Sequence, residues 1–347
     1  MNNEVKQLYF FAVLSLVIIA FLILISFHKE NSINNEEQNI KPIDNKYKIE
    51  SIADLEFFSK RVNEGHSFKN EYIELETDLD VSSCKDGTFP IGTIYNSFQG
   101  TFNGKSHTIS NLKINNKSEN YTGLFGITSE ASISNINLSN INISSNSYVG
   151  AIAGSTFNTK VSNCSTTGTI SGKNCISGIV GVARNSELSF NNSSCKLEGL
   201  NSVGGVIGYS DSTEIVNCFN KGKLHGLEFI GGIIGYADYS NIRNCYNKAN
   251  ISGRNRISGI IANNNFGNIF GCINYNSIYG KFYVSGISSI NNKGNLDFCT
   301  NTGNIYGEKY TGALIGKNLK GTLKDLSNSG RVNNVYFSST MVKIDKK

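Results

Sequence analysis

The sequence predicts an all-β fold, a right-handed parallel β-helix built from coils of 27 residues. Two observations predict it: similar residues recur in constant steps of 27, and the segments between the recurring glycines are short and rich in Val, Ile, Tyr, Phe and Thr. A fixed period of this size is typical of solenoids, whose repeats bury their apolar faces only by stacking. Short segments of this composition favour strands over helices. Stacked coils then place equivalent residues about 4.8 Å apart.

Three columns of equivalent residues define the coil over seven units without an insertion. The first is mostly glycine: Gly154, Gly181, Gly208, Gly235, Ala262, Ser289 and Gly316. The second is apolar throughout: Val161, Leu188, Ile215, Ile242, Ile269, Leu296 and Leu323. The third is also apolar: Ile170, Leu197, Leu224, Ile251, Ile278, Ile305 and Val332.

Three more columns carry specific expectations. The first is a glycine column at Gly172, Gly199, Gly226, Gly253, Gly280 and Gly307, and Asn334 takes the place of glycine in the last unit. We expect a tight corner with positive φ there, since glycine adopts that conformation at no steric cost. An amide ladder is predicted along the axis at Asn220, Asn247, Asn274, Asn301 and Asn328. A cysteine column, which Leu326 continues, contains Cys164, Cys218, Cys245, Cys272 and Cys299.

We interpret the cysteine column as small buried apolar side chains. In-register neighbours have parallel Cβ vectors about 4.8 Å apart, whereas a disulfide needs Cβ atoms near 3.8 Å. Cys84, Cys175 and Cys195 lie outside the column, and the sequence does not pair them. No CxxC or Cys/His spacing typical of zinc sites occurs.

A capping helix is predicted ahead of the regular coils. In "SIADLEFFSKRVNEGHSF", Ser51 is a candidate N-cap, Leu55, Phe58 and Val62 share one face, and Gly65 follows the end. Such a helix would cover the open strand edges of the first coil. The interpretation divides the chain into an anchor at 1–28, a spacer at 29–46, a cap with first coils at 47–126, repeats at 127–340 and a tail at 341–347.

Residues 8–27, "LYFFAVLSLVIIAFLILISF", predict one transmembrane helix. The run has 20 residues without charge, enough to cross a hydrocarbon core of about 30 Å. A cleaved signal peptide is the alternative, but its apolar core would be shorter and end at a small-x-small site. We expect an uncleaved anchor with an extracytoplasmic body, followed by a flexible polar spacer.

Composition limits the remaining classes of function. A net charge of +5 over 347 residues, with no block of Lys or Arg, does not suggest nucleic-acid binding. No phosphate-binding loop or calcium-binding nonapeptide occurs. We therefore expect no cofactor and no metal.

"FQGTFNGKSHTISNLKI", followed by "YTGLFG", resembles the opening of bacterial surface proteins built on GLUG-motif repeats. The recurring "VGAIAG", "VGGVIG", "IGGIIG" and "TGALIG" are similar to the motif itself. The resemblance covers about residues 47–340 and implies a β-helix on the cell surface. Related repeats occur in adhesins and in non-catalytic regions of immunoglobulin A metallopeptidases. The HExxH zinc motif of those peptidases has no counterpart in this sequence, so the resemblance does not imply a protease.

A polar cluster is the candidate catalytic site of an alternative function, a carbohydrate-active β-helix enzyme. Asp211 and Asp238 are 27 residues apart and should stack on adjacent coils, with Arg184 before them and Asn265 after. Carboxylates separated by about 5 to 5.5 Å suit retaining glycosidase chemistry. Both aspartates also follow glycine-rich strands, where Asp commonly makes turn hydrogen bonds.

An aromatic column is the candidate ligand-binding surface. Tyr148, Phe229, Tyr283 and Tyr310 share one phase, with Cys175, Ser202 and Arg256 between them. Facing outward, they would form a broken stripe suited to sugar rings or a protein partner. Their alternative role is to shield strand edges or fill the corners of the coil.

These observations favour a membrane-anchored extracytoplasmic β-helix that acts as a non-catalytic surface adhesion or scaffold module. Its expected partners are the membrane, through residues 8–27, and host or cell-surface glycans or proteins.

Overall fold

The computed structural model describes residues 46–85 and 87–333, and the backbone of 335 and 336. The predicted anchor at 8–27 and the tail at 341–347 lie outside the described residues, as does the predicted spacer except for Lys46. Within the described ranges, no helix is long and apolar enough to cross a membrane.

The described chain is an all-β right-handed solenoid of about 11 turns with coils of about 27 residues. Its strands form three parallel sheets, named here sheet 1, sheet 2 and sheet 3. Sheet 1 has 11 strands: Lys46–Ile49, Tyr72–Leu75, Thr101–Asn103, Ser132–Ser134, Lys160–Ser162, Glu187–Ser189, Glu214–Val216, Asn241–Arg243, Asn268–Phe270, Asn295–Asp297 and Thr322–Lys324. Sheet 2 has eight: Phe125–Ser129, Ala153–Phe157, Val180–Arg184, Ile207–Asp211, Ile234–Asp238, Ile261–Asn265, Ser288–Asn292 and Ile315–Leu319.

Sheet 3 holds the remaining, more broken strands. They are Leu79–Asp80, Thr108–Ser110, Lys113–Thr122, Asn137–Gly150, Ser165–Ser171, Asn174–Ser177, Asn192–Ser193, Lys196–Gly204, Phe219–Asn220, Lys223–Gly231, Tyr246–Asn247, Asn250–Ser252, Asn255–Ser258, Ile273–Asn274, Ile278–Tyr279, Phe282–Ser285, Thr300–Asn301, Ile305–Tyr306, Lys309–Gly312, Ser327–Asn328, Arg331–Val332 and Val335–Tyr336. The last of these pairs antiparallel with Arg331–Val332. A short 3-10 helix spans Val81–Ser83.

Strand register follows the sequence period. Ile215 pairs with Leu188 on one side and Ile242 on the other, each 27 residues away. All three side chains are fully buried. Each apolar column therefore becomes a continuous line of core contacts along the axis, which confirms the predicted stacking.

The glycine column that begins at Gly172 was predicted to have positive φ, and this prediction was wrong. None of its six glycines has positive φ. These positions need a small residue for another reason. The side chain four residues later, apolar at five positions and Thr311 at the sixth, fills the space that a Cβ would take. A Cβ on Gly226, for example, would lie 2.5 Å from Cδ1 of Ile230.

The left-handed corners lie instead at three other positions of the coil. One series follows sheet 2 and includes Ser212 and Tyr239, and another follows sheet 1 and includes Asn217 and Asn244. The third precedes sheet 2 and includes Ser202 and Phe229. Asparagine tolerates this conformation, but large aromatic residues rarely adopt it. The residue types at the third corner, such as Phe229, therefore gave no sign of a left-handed turn in the sequence.

Both predicted ladders are confirmed as buried features. The amides of Asn247, Asn274 and Asn301 are fully buried. Nδ2 of Asn247 donates to Oδ1 of Asn274 at 2.9 Å, and Nδ2 of Asn274 donates to Oδ1 of Asn301 at 2.7 Å. The five column cysteines are fully buried. All eight cysteines are free thiols.

The capping helix, α1, spans Ile52–Asn63, and Ser51 Oγ accepts a hydrogen bond from the backbone N–H of Asp54, as predicted. Its buried face consists of Leu55, Phe58, Ser59 and Val62. Phe58 contacts Phe98 and Phe102 with ring centroids 5.6 and 5.8 Å apart. Those two rings contact Phe125 in the first strand of sheet 2. The helix therefore covers the end of the core where sheet 2 begins.

Candidate ligand-binding face

The four polar candidates are the last residues of neighbouring strands in sheet 2. Arg184 pairs in register with Asp211, Asp211 with Asp238, and Asp238 with Asn265. The predicted stacking of the two aspartates on adjacent coils is therefore confirmed.

Asp238 is held by hydrogen bonds to both carboxylate oxygens. The hydroxyl of Tyr209 donates to Oδ2 at 2.8 Å, and Nδ2 of Asn265 donates to Oδ1 at 2.8 Å. Asp211 instead accepts at Oδ1 from the hydroxyl of Ser212, 2.9 Å away. The two carboxylates thus have different surroundings, and Asp238 is the one fixed in place by neighbouring coils.

Two tyrosines that sequence reasoning did not select connect this cluster. Tyr209 and Tyr236 precede the aspartates by two residues, and their rings stack with centroids 5.8 Å apart. The guanidinium of Arg184 lies 5.6 Å from the ring centroid of Tyr209. Burial, followed by the hydrogen bond to Asp238, raises the pKa of Tyr209 well above its usual value. Tyr209 is therefore a neutral hydrogen-bond donor at physiological pH.

The aromatic column lies at the left-handed corner that precedes sheet 2. Tyr148, Phe229, Tyr283 and Tyr310 have φ between 52° and 61°, and each is partly exposed. The corner position agrees with the alternative role noted above, while the partial exposure leaves ring surface accessible. Tyr121, with φ of 61°, extends the column by one coil at its N-terminal end.

Ring contacts fix the aromatic column along the axis. Tyr283 and Tyr310 stack at 4.5 Å with an interplanar angle of 11°, and Tyr121 and Tyr148 stack at 4.8 Å. Between Phe229 and Tyr283, the guanidinium of Arg256 lies 4.6 and 5.8 Å from the two ring centroids. Arg256 also forms an ion pair with Glu228. A cation therefore continues the column where an aromatic ring is missing.

The polar cluster and the aromatic column meet at Phe229 and Tyr236, whose rings form an edge-to-face contact at 5.3 Å. They make one continuous surface, which we name the aromatic–polar face. Its members are Arg184, Tyr209, Asp211, Phe229, Tyr236, Asp238, Arg256, Asn265, Tyr283 and Tyr310.

This surface offers flat rings beside hydrogen-bonding groups that are already oriented. Rings supply contact area at low entropic cost, and a rigid arrangement reduces what binding must order. Across the described residues, no group of three or more His, Cys, Asp or Glu is placed to hold a metal ion. The groups present on this face are able to stack and to form hydrogen bonds, and its two aspartates are its acids.

Family models match two parts of the chain. Residues 230–252 match the GLUG motif, and residues 77–168 match the M26 IgA1-specific metallo-endopeptidase N-terminal region. The GLUG match begins at Ile230, directly after Phe229, and includes the sheet 2 strand that contains Tyr236 and Asp238. The predicted resemblance to GLUG-repeat proteins is confirmed.

Two individual proteins are similar to this chain, one over part of its length and the other over most of it. Halomucin from Haloquadratum walsbyi is 31% identical over 139 residues, which cover 37% of this chain and 2% of halomucin. This chain thus spans a small fraction of that relative. A crystal structure described as "a putative immunoglobulin A1 protease from Bacteroides ovatus" superimposes with a TM-score of 0.54 at 17% identity, covering 84% of this chain and 86% of that one. That similarity shows a shared fold.

Proposed function

We propose that this GLUG-motif β-solenoid is a cell-surface recognition module that binds glycans, or proteins that carry them, through the aromatic–polar face. Adhesion or scaffolding without catalysis is the role that this assignment implies. The proposal includes anchoring through residues 8–27 and an extracytoplasmic location for the solenoid. The GLUG match and the similarity to halomucin are consistent with a surface protein.

The observation that carries the proposal is the junction of rings and polar groups at Phe229 and Tyr236. A column of rings alone would satisfy a purely structural role at a corner. Here the rings continue into Tyr209, Asp238 and Asn265, whose hydrogen bonds hold the face in one arrangement. Sugars present apolar ring faces and hydroxyl groups together, so a surface with both kinds of partner suits them.

A soluble fragment can test the proposal. The compact unit begins at Pro42, so residues 42–347 would be applied to a glycan array and to immobilised extracellular-matrix proteins. We expect binding that is lost in Tyr283→Ala/Tyr310→Ala. Absence of binding to every glycan and matrix protein would argue against a recognition module.

The second candidate is a carbohydrate-active enzyme that uses Asp211 and Asp238. The observation in its favour is their direct register on adjacent strands. Mass spectrometry of glycans incubated with the fragment separates the two functions, because recognition leaves the glycan intact. Cleavage that disappears in Asp211→Asn or Asp238→Asn would establish the enzyme instead.

A further inference from the structure

A separate surface of the solenoid, on sheet 3, carries a concentration of positive charge. The equivalent segments 192–198, 219–225 and 246–252 of three successive coils contain Lys196, Lys221, Lys223 and Lys248, but Glu198 as their one acid. All four lysines are exposed. Since the segments pair strand to strand, these charges lie on adjacent coils.

Most of this charge is uncompensated by other side chains. Lys196 forms an ion pair with Glu198 at 2.7 Å. Within the described residues, no ion pair joins Lys221, Lys223 or Lys248 to an acid. The neighbouring sheet 1 differs, since Lys160 pairs there with Glu187 and Arg243 with Glu214. Lys221 and Lys248 are thus available to an anion from solution, whereas Lys196, and more weakly Lys223, interact with Glu198 and lower the pKa of its carboxyl.

Aromatic rings lie directly beneath two of these lysines. Nζ of Lys221 is 4.9 Å from the ring centroid of Phe219, and Nζ of Lys248 is 5.6 Å from Tyr246 and 5.1 Å from Tyr275. Phe219 and Tyr246 stack at 4.9 Å with an interplanar angle of 4°. Tyr275 is 45% exposed. The attraction between each ammonium group and its ring favours this position of the lysine side chain, and the ammonium group stays exposed to a ligand on the side away from the ring.

From this arrangement we infer that Phe219, Lys221, Lys223, Tyr246, Lys248 and Tyr275 form a second binding site, which takes an acidic polysaccharide bearing carboxylate or sulfate groups. The lysines would bind the anionic groups, and the rings would contact the sugar. Repetition at the coil spacing of about 4.8 Å suits a linear chain that lies along the axis. The aromatic–polar face also uses sheet 3, at Phe229, Arg256, Tyr283 and Tyr310, but it shares no residue with this site, and the inference does not depend on it.

Binding of polygalacturonate to residues 42–347 tests the inference, with neutral dextran as the uncharged probe. We expect selective binding of polygalacturonate that weakens as NaCl increases, because the contacts are between exposed charges. Lys221→Gln/Lys248→Gln should weaken it by roughly tenfold or more, since two exposed charge contacts are lost. The control Lys160→Gln/Lys281→Gln removes the same charge from lysines paired with Glu187 and Glu308, and should change affinity by less than about twofold.

Further arms identify the ligand class. Tyr275→Ala should also weaken polygalacturonate binding, whereas an unspecific attraction of charge would leave it unchanged. Equal losses in the two double-lysine variants would overturn the inference. So would tighter binding to vesicles containing anionic phospholipid, or to a single-stranded oligonucleotide, than to polygalacturonate. Tyr283→Ala/Tyr310→Ala should leave polygalacturonate binding intact, which keeps this test separate from that of the proposed function.

Discussion

Nδ2 of Asn247 donates a hydrogen bond to Oδ1 of Asn274 at 2.9 Å, although the two residues are 27 positions apart in the chain. The same Asn247 also accepts, at Oδ1, from the backbone N–H of Ala249. Each buried amide therefore supports its own coil and links it to the next. This relationship explains why a polar residue recurs in the interior of the solenoid.

Replacement of Asn247 by Ala should destabilise the protein by about 2 to 3 kcal/mol, because it leaves buried partners on adjacent coils without their hydrogen bonds. The free energy of unfolding, measured with urea, checks this. Asn268→Ala is a matched control, since Asn268 donates to Asn241 in an exposed ladder, and should cost less than about 0.5 kcal/mol. Equal losses in the two variants would contradict the assignment of the buried ladder as the stabilising one.

Gly232→Ala should destabilise strongly, by about 2 to 3 kcal/mol, because an added Cβ overpacks the interior. That Cβ would lie 2.5 Å from Cγ of Asn247 and closer still to the carbonyl oxygen of Gly259. Gly226→Ala is the comparison, since its new Cβ meets the side-chain ends of Ile230 and Val203 and a single backbone atom, the carbonyl oxygen of Gly199 at 2.8 Å. Denaturant unfolding of both variants should show the larger loss for Gly232→Ala, and the reverse order would contradict the described packing.

Phe58→Ala should destabilise by about 3 to 5 kcal/mol, the usual cost of removing a buried aromatic side chain. Because α1 covers the end of the core, the variant should also self-associate more than the parent protein. Sedimentation velocity measures the association, and thermal unfolding measures the stability. Ser51→Ala removes only the N-cap and should cost about 1 kcal/mol without association. A Phe58→Ala protein that stays monomeric at all concentrations would contradict the capping role.

Stability should decline at alkaline pH because of two buried thiols of the cysteine column, those of Cys164 and Cys245. Burial raises the pKa of Cys164 to about 12 and that of Cys245 as well, whereas an unfolded thiol titrates near 8.5. The stabilising contribution is fully present below the unfolded pKa. It is lost as pH rises toward the folded pKa, because the unfolded state releases its protons first. Unfolding free energies measured between pH 8 and 11 should fall less steeply in Cys245→Ala. An unchanged slope would contradict a buried neutral thiol at Cys245.

Thiol labelling offers a separate check on the same column. In native protein without reductant, a maleimide should leave the five column cysteines unmodified, since they are fully buried. Partly exposed Cys84 and Cys175 are the sites open to reaction. After denaturation, all eight cysteines should react, and recovery of fewer thiols would show disulfides that the structure lacks.

Much of the fold could be predicted from the sequence, because a solenoid converts a linear period directly into spatial columns. Ile215, Asn247 and Cys245 each occupy the environment that their phase predicted. Helix α1 was predicted for a different reason, since its cap and its apolar face are local signals.

The corners could not be predicted in the same way. Phe229 and Arg256 have positive φ, which their residue types ordinarily disfavour. Tertiary packing imposes this conformation, as the backbone there lies against the glycines of the next coils. A Cβ on Gly235, for instance, would lie 2.7 Å from the carbonyl carbon of Ser202. The role of that glycine column is therefore close backbone approach.

The candidate site was partly predicted. Its polar and aromatic residues were recognised as separate columns, but their contact through Tyr209 and Tyr236 depends on how the corner folds over sheet 2. A second buried amide ladder, Asn264 to Asn291 to Asn318, was missed although it follows the same 27-residue step. The asparagines of this ladder do not extend into the earlier coils, so the column is less evident in the sequence.

The dissociation constant of the fragment for its best glycan-array ligand tests the central claim most directly. The account predicts that Tyr283→Ala/Tyr310→Ala weakens binding by roughly tenfold or more, because stacked rings contribute about 1 kcal/mol each. Tyr279→Ala/Tyr306→Ala removes an equally stacked pair that is not part of the aromatic–polar face, and should leave the constant unchanged. Equal affinity of the parent protein and the Tyr283→Ala/Tyr310→Ala variant would contradict the aromatic–polar face as the recognition surface.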